Sequence, residues 1–300
     1  MVTILNNSCP SIGCSSVLAL VSLLEDYGFS QERVSAISGV DLTLLDQQDS
    51  RLPLDQYQTL WKTALTITNN PALGLELGQI LNTSKIGLVG HVMFNSQNMG
   101  DGLKEFIRLF SIVNEAISLT LETDQQNAYL RFIHLNPEYY CISDMERTMT
   151  LVLHRGKAFF DSNVQWKSVE FQHAQPDHIE HYKKVFNCAL NFNQNYCQIV
   201  FDRKYLELVP KQRNPYVGNA ALQYANNLLK KLLRRSYADK VKALITQAIS
   251  QGEADIDHIA EQLNIKFWTT ILVFKGNEEK ARIVGQTDKD EIYKAILKGI

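Results

Sequence analysis

The sequence has no apolar run long enough to cross a membrane. The longest, residues 17–24, is interrupted by Ser22 and falls far short of the roughly 20 residues that a membrane-spanning helix needs. The N-terminus also lacks the basic start and the small-residue cleavage site of a secretory signal. These absences favour a cytoplasmic protein that has no membrane partner.

The sequence contains few cysteines, and their spacing does not indicate a disulfide framework. The five cysteines are odd in number and mostly far apart, which favours reduced thiols over disulfides. Cys9 and Cys14 lack the second pair of ligands that a zinc site requires. We therefore expect no metal site.

The motifs of the common enzyme classes are missing as well. The chain contains no Walker loop, no strand–GxGxxG–helix, no GxSxG elbow and no HExxH. Asp144 and Glu146 are interpreted as acids at a helix start, where they favour the helix dipole. His178 and His181 have no further metal ligands nearby and are interpreted as surface residues of one helix. We expect neither an enzyme nor a bound cofactor.

The chain also lacks an excess of charge. Its formal net charge is −2, so any contact with nucleic acid must come from a local basic patch. One patch exists, with Asp239 as its only acid. It consists of Lys230, Lys231, Arg234, Arg235, Lys240 and Lys242. Two interpretations remain open, a contact with DNA and a solvated helix face.

The spacing of the apolar residues predicts an α+β fold. Residues 15–82 are expected to form a run of helices, and residues 103–116 a further one. Alternating apolar residues on both sides of the polar turn 124–127 predict a β-hairpin. A helix from Asp144 and another from Pro176 follow. Short strands are expected at 168–173, 190–192 and 198–201, completing an antiparallel sheet packed against helices.

A change in composition after Pro210 suggests how the chain divides. Residues 1–210 are expected to form an effector-binding and dimerisation domain. Residues 211–235 would be a linker and a connecting helix, and residues 236–300 a smaller all-α region.

Within that last region, residues 237–265 have the pattern of two short amphipathic helices. Val241, Leu244 and Ile245 begin the first apolar stripe, Gly252 ends that helix, and Asp255 caps the second. Such a pair begins a helix-turn-helix unit when a third helix follows to enter a DNA groove. Plain helical packing gives the same pattern.

Three blocks of sequence resemble one family. They are RLPLDQYQTLWKTALTITNNPALGLELG, GLVGHVMFNSQNMGDGLKEFIRLF and FQHAQPDHIEHYKKVFNCALNFNQNYCQIVFDRKYLELVPKQRNP. In order and spacing they resemble the effector domain of AraC-type transcriptional regulators with an arabinose-binding-like N-terminal domain. The resemblance implies transcription regulation, with DNA, a small-molecule effector and, as one option, a second copy of the chain as partners. It also implies that ADIDHIAEQLNI is the support helix of a helix-turn-helix unit.

One residue of the second block is a candidate for effector binding. His91 lies in the apolar, glycine-punctuated segment GLVGHVMFNS, where it could face a cavity. A hydrogen-bonded histidine in the core is the other interpretation.

The resemblance ends after Ile265. Where the family has a polar and basic recognition helix, this chain has KFWTTILVFKG, in which only Thr269 matches and in which β-branched and aromatic residues favour a strand. A lost reading frame and a diverged tail are both open. Specific DNA binding is therefore expected to be impaired, and a stand-alone ligand-binding or dimerisation module is the alternative. The DNA-binding candidates are Lys240, Lys242, Lys266 and Thr269.

Overall fold

A computed structural model describes most of the chain. The described residues are 10–47, 49–80, 86–161, 163–251, 270–275 and 278–284. Residues Cys9–Arg234 form one compact unit, and residues from Arg235 onwards belong to a second. Whether independently folding domains end at 210 and 235 stays a prediction.

The first part of the chain is helical, as predicted. The apolar stripe Val17, Leu20, Val21 and Leu24 is buried in the core of this part. The Asp41 carboxylate accepts the Thr43 backbone N–H at 2.9 Å, next to a segment that forms only the 3-10 turn Thr43–Asp46. The elements are β1 (Ser11–Gly13), α1 (Cys14–Asp26), α2 (Gln31–Ser38), β2 (Arg51–Pro53), α3 (Leu54–Thr68) and α4 (Leu73–Gln79).

Two helices then lead to the sheet, α5 (Gly87–Phe94) and α6 (Met99–Val113). The predicted range for the second was 103–116, so α6 begins four residues earlier and ends three earlier. The reason is Asn98, whose side chain accepts the Asp101 backbone N–H at 2.8 Å and caps the helix. The predicted helix began only after Gly100 and Gly102, which α6 includes in its first turn.

The predicted hairpin is confirmed as β3 (Ile117–Thr123) and β4 (Asn127–His134), which pair from Ile117 with His134 to Thr123 with Ala128. Along β4 the buried residues Ala128, Leu130 and Phe132 alternate with half-buried ones. The remaining elements of this unit are the 3-10 turn Pro137–Tyr139, α7 (Ile142–Phe159), β5 (Trp166–Glu170), α8 (Ile179–Phe186), β6 (Ala189–Asn191), β7 (Cys197–Asp202) and the 3-10 turn Arg203–Glu207.

These strands form a five-stranded sheet in the order β3-β4-β7-β5-β6. The neighbouring pairs are antiparallel except β5 and β6, which run parallel. A purely antiparallel sheet was therefore wrong for this edge, where α8 connects the two strands, as parallel neighbours require. The α+β class is confirmed.

Helix α7 is the centre of this unit. Met145, Met149 and Leu153 pack with the inner face of the sheet in one apolar core. Its other side contacts α4 closely. A Cβ atom built on Gly74 would lie 2.2 Å from the Ser143 carbonyl oxygen, and one on Gly78 would lie 2.8 Å from that of Arg147. The two helices approach at a distance that only glycine allows.

One helix, α9 (Pro215–Gln251), includes the predicted connecting helix, which was expected to end by residue 235, and the first of the two helices predicted within residues 237–265. Beyond it, β8 (Thr270–Lys275) and β9 (Glu278–Val284) pair antiparallel. The all-α expectation for the C-terminal region does not hold for these strands, whose β-branched residues favour extended backbone. The proposed second helix, Asp255 and Lys266 lie outside the described residues. No helix in the described ranges is long and apolar enough to span a bilayer.

The contact between α4 and α7 gives a first prediction. Gly74→Ala and Gly78→Ala should each lower the free energy of unfolding by about 1–3 kcal/mol or more, because the added methyl groups overlap the α7 backbone. Urea denaturation measures the change. The matched control is Gly90→Ala on α5, where an added Cβ meets its nearest atom at 3.4 Å. It should change stability by less than about 1 kcal/mol, and an equal loss at all three positions would contradict the helix contact.

Candidate functional site

A cavity of about 300 Å³ lies between α1, α5, α6, α7 and the C-terminal end of α4. Its volume falls at the lower end of the range for small-molecule sites, roughly 300–1,000 Å³. Helix α6 supplies an apolar wall through Phe106, Phe110 and Val113. Helix α1 adds small residues, among them Ser16 and Ala19. The cavity can therefore enclose a small, largely apolar molecule.

Two arginines of α7 give this cavity its polar wall. Arg147 is only 6% exposed and forms an ion pair with Asp144, whose Oδ1 accepts a hydrogen bond from Nε at 2.9 Å and lies 2.9 Å from Nη2. The Tyr57 hydroxyl donates to the same oxygen at 2.9 Å. Nη2 also donates to Thr148, while Nη1 makes no hydrogen bond within the described part of the chain. The ion pair thus holds the guanidinium in place and leaves one of its nitrogens available at the cavity.

Arg155 lies two turns further along the same face of α7. Its Nη1 donates to the Ile86 carbonyl oxygen at 3.0 Å, which ties α7 to the start of α5. Burial, and then the positive charge of Arg147, lower the pKa of Arg155 to about 10. The guanidinium remains charged at neutral pH.

The start of α5 contributes backbone donors to the same end. Residues 86–90 line the cavity, and the N-cap residue of α5, Ile86, has an aliphatic side chain that makes no capping hydrogen bond. The first turn of a helix carries unsatisfied N–H groups and the positive end of the helix dipole. Arg155 and the first turn of α5 thus lie at the same end of the cavity.

None of the predicted site residues is among those that line this cavity. His91 is on α5 and half-buried, but it does not line the cavity, and its carbonyl accepts from Asn95 Nδ2 at 2.8 Å. Its part in effector binding stays a prediction. Lys240 and Lys242 fall within α9, while Lys266 and Thr269 lie outside the described residues.

A second polar cluster lies beneath α7, where α8 meets the sheet. The Tyr182 hydroxyl donates to Glu146, which is completely buried. Tyr182 must then accept from His173 Nε2, at 3.0 Å, so that His173 Nδ1 accepts from the Tyr140 hydroxyl at 3.2 Å. The ring then carries a proton on Nε2, and burial, which lowers the pKa of His173, favours the neutral form in which Nδ1 is the acceptor.

Of two interpretations made from the sequence, one is confirmed and one is wrong. Asp144 and Glu146 are acids near a helix start, as predicted, and both are also buried and hydrogen-bonded. His178 is not a surface residue of a helix. It precedes α8, and its Nε2 is buried 3.6 Å from Glu146, whereas His181 is exposed. Among the residues that the structure describes, no three potential ligands could hold a metal ion.

The sequence interpretation missed both arginines of the cavity. It sorted α7 by its apolar stripe, which packs on the sheet, and left the other face unassigned. A signal was present, because Arg147, Leu151 and Arg155 are spaced by four and so share one helix face. An arginine pair on an inward helix face indicates a binding site only once the neighbouring helices are known to leave a space there.

Comparison with known families gives one match that covers most of this unit. Residues 28–209 match the family model described as the arabinose-binding domain of the AraC transcription regulator, N-terminal. The matched range begins before α2 and ends before α9. It therefore includes four of the five helices that enclose the cavity.

Similar proteins are transcription regulators. The ornithine utilization regulator of Pseudomonas aeruginosa is 27% identical over 248 residues, which cover 82% of this chain and 73% of that protein. The HTH-type transcriptional regulator VirS of Mycobacterium tuberculosis is 18% identical over 222 residues, covering 73% of this chain and 65% of that protein. The crystal structure of the transcriptional regulator CdpR from Pseudomonas aeruginosa has a similar fold, with a TM-score of 0.52 and 13% identity, covering 83% and 75% of the two chains.

The buried histidines predict a loss of stability in mild acid. Burial is the main cause that lowers the pKa of His134, His154 and His173. The unfolded chain, with an ordinary histidine pKa of about 6.5, therefore binds more protons than the folded one just below that pH. The free energy of unfolding should fall as the pH drops from about 7 towards 5.

Urea denaturation at several pH values measures this slope. His173→Gln should make the slope shallower than in the parent, because one buried titrating group is removed. His181→Gln on α8 is the control and should keep the parental slope, since that ring is exposed. A free energy of unfolding that increases as the pH is lowered from 7 to 5 would contradict the lowered histidine pKa values.

Proposed function

Because the chain belongs to the family of AraC-type transcription regulators with the arabinose-binding N-terminal domain, we propose that it controls transcription in response to a small molecule bound in the cavity. The observation that carries the proposal is a cavity of ligand size inside the matched domain. The family and the similar proteins are regulators and not enzymes. This agrees with the missing catalytic motifs.

In this proposal residues 1–210 sense the effector, residues 211–235 connect, and residues 236–300 contact DNA. Four helices of the cavity wall come from different parts of the first region, so a bound molecule would bridge α1, α5, α6 and α7. Ala221, Leu222 and Ala225 of α9 pack against α5 and α6 on the outside of this wall. A change in the spacing of α5 and α6 would reach α9 through these contacts.

Blocking the cavity tests the sensing function. Ala19→Phe fills space on the α1 side, whereas Leu18→Phe places the same side chain at the neighbouring position, which is 44% exposed and outside the cavity. Metabolites are screened by thermal shift on the full chain. A ligand at about 100 times its Kd stabilises by about 2.7 kcal/mol, or a rise of roughly 5–10 °C in Tm for a chain of this size.

We expect at least one metabolite to stabilise the parent and Leu18→Phe but not Ala19→Phe. A screen without any stabilising compound, or stabilisation that Ala19→Phe leaves intact, would contradict sensing in this cavity. His91→Ala serves as a further variant. If a ligand stabilises His91→Ala as strongly as the parent, His91 does not contribute to the effector site.

For DNA, the proposal is contact through the basic patch with little dependence on sequence. Lys230 and Lys231 are exposed on α9, and the patch continues along this helix to Lys242. Strands occupy Thr270–Lys275 and Glu278–Val284, in the part of the chain where the family resemblance places base-reading helices. Phosphate contacts position a protein on DNA but do not read the bases. The expected binding is weak and sensitive to salt.

Fluorescence titration of duplex DNA at several salt concentrations checks this. About six phosphate contacts would lower the affinity roughly a thousandfold between 50 and 200 mM salt. Replacing Lys240 and Lys242 together by Gln should reduce the slope of log affinity against log salt by about 2. Replacing the exposed α8 residues Lys183 and Lys184 by Gln should leave it unchanged. A sequence preferred more than about a thousandfold over random DNA would contradict this part of the proposal.

A second candidate is a ligand-binding or dimerisation module without DNA binding. The β8–β9 hairpin favours it, because two paired strands do not supply a recognition helix. The same titration separates the candidates. A chain that binds metabolites in the cavity but shows no affinity for DNA even at low salt would be such a module.

A further inference from the structure

We propose that a molecule in the cavity and helix α9 stabilise one another, because both pack against the same side chains from opposite sides. The inference rests on the proposed function for the existence of an effector and adds the residues and the sign of its effect on the connecting helix. Occupancy of the cavity tightens the docking of α9.

The wall between the cavity and α9 is a single layer of side chains. Each residue of this shared wall lines the cavity and also belongs to the apolar cluster that α9 joins. Helices α5 and α6 supply these residues, which are Leu88, Val89, Phe106, Ile112 and Val113. An occupant of the cavity and α9 therefore contact the same residues from opposite sides.

The segment of α9 that docks on this wall is mostly accessible to solvent. Its contact residues are Ala221, Leu222, Ala225 and Leu229. Among the α9 residues whose side chains the structure describes, only Ala225 is buried. Segments that bury few apolar side chains open locally before the whole domain unfolds. The docking of α9 is therefore a contact that an occupant of the cavity can shift.

Hydrogen bonds fix the position in which α9 docks. At the C-terminal end of α5, Asn95 Oδ1 accepts the Asn214 backbone N–H at 2.7 Å, just before α9 begins. Further along, Arg108 Nη2 of α6 donates to Asn226 Oδ1 at 2.8 Å. The docked segment is thus attached to both helices of the shared wall, and its position depends on how they are placed.

Phe106 gives the coupling its sign. Its ring packs edge-on against Phe110, with 5.2 Å between the ring centroids and 70° between the ring planes. Phe110 lines the cavity but does not belong to the α9 cluster. Phe106 is half-buried, so an occupant would cover more of its ring and hold it in the orientation against which α9 packs. Because coupling between two sites is reciprocal, a docked α9 also raises the affinity for the occupant.

The docked segment leads directly into the basic patch. Lys230 and Lys231 follow Leu229 and are exposed. Docking therefore fixes where these two lysines lie relative to α5 and α6. In the proposed function, this contact connects the effector to the first residues of the patch.

Hydrogen exchange of the full chain measures the docking through the backbone amides of residues 217–229. Phe110→Leu shortens a cavity side chain outside the α9 cluster and should speed exchange of this segment by at least about fivefold, at the lower end of common coupling factors. Phe186→Leu is the matched control. Phe186 is 1% exposed in the same core but is neither in the cavity wall nor in the α9 cluster. It should change the exchange of this segment by less than about twofold.

Benzene serves as the probe for an occupied cavity, since an apolar cavity of about 150 Å³ holds one molecule of it. In the parent, millimolar benzene should raise the Tm and slow the exchange of residues 217–229. Leu18→Phe should respond as the parent does. Ala19→Phe, whose own ring fills the cavity, should not respond. In Phe110→Leu, benzene should bring the exchange rate back towards that of the parent.

Leu222→Ala tests the reverse direction. It removes part of the α9 contact and should weaken benzene binding, measured by isothermal titration, by about fivefold. Leu233→Ala on the same helix is the control and should retain the parental affinity, because Leu233 is 53% exposed and outside the cluster. An unchanged affinity in Leu222→Ala would contradict the coupling.

The outcomes separate this inference from the proposed function. Parental exchange in Phe110→Leu, or a rise in Tm with benzene without slower exchange of residues 217–229, would overturn the coupling and leave sensing in the cavity intact. If benzene does not raise the Tm, Phe110→Leu decides; if that variant does not fold, the benzene response of the parent decides. A metabolite screen without any ligand would end the sensing function, while the coupling would stand on the exchange results.

Discussion

The approach of α4 to α7 is the constraint on which the larger unit depends. Gly74 and Gly78 are four residues apart, so they lie on one face of α4 and let its backbone contact the α7 backbone directly. This contact fixes the rotation of α7 about its axis. One face of α7 then packs on the sheet through Met145 and Met149, while the face with Arg147 and Arg155 is turned towards α1 and α5. The position of the cavity and its polar wall follow from the same contact.

Placing a helix in the centre of a domain with several charged residues on it is costly unless each charge has partners. Along α7 the partners are specific. Asp144 is shared by Arg147 and Tyr57, and Glu146 accepts from Tyr182. These groups come from α3 and α8 on opposite sides of α7. The buried polar residues therefore join the N-terminal helices to the sheet, and removing one partner would leave an unsatisfied charge in the interior.

Much of the fold could be predicted from the sequence because its signals are local. The β3–β4 alternation, the α1 stripe and the length of α7 are all set by residues close to one another along the chain. The start of α6 was missed because the cap at Asn98 outweighs the glycines of the first turn. The parallel β5–β6 pair and the cavity were also missed, since both depend on contacts between distant segments. Arg155, for example, donates to the Ile86 carbonyl at the start of α5, some seventy residues earlier in the chain.

In the C-terminal strands, the local residue propensities favour extended backbone where the family resemblance implies helices. In β8, Thr270, Ile271 and Val273 are β-branched, and such residues lose side-chain freedom in a helix but pack well on a strand. Two strands of six and seven residues also satisfy only part of their backbone groups by pairing with each other. Strand β8 contains none of the Arg, Asn and Gln side chains that distinguish bases. In the proposed function, effector binding depends on α1 and α4–α7, so it would persist whatever the C-terminal region contributes to DNA, and the two functions can be measured separately.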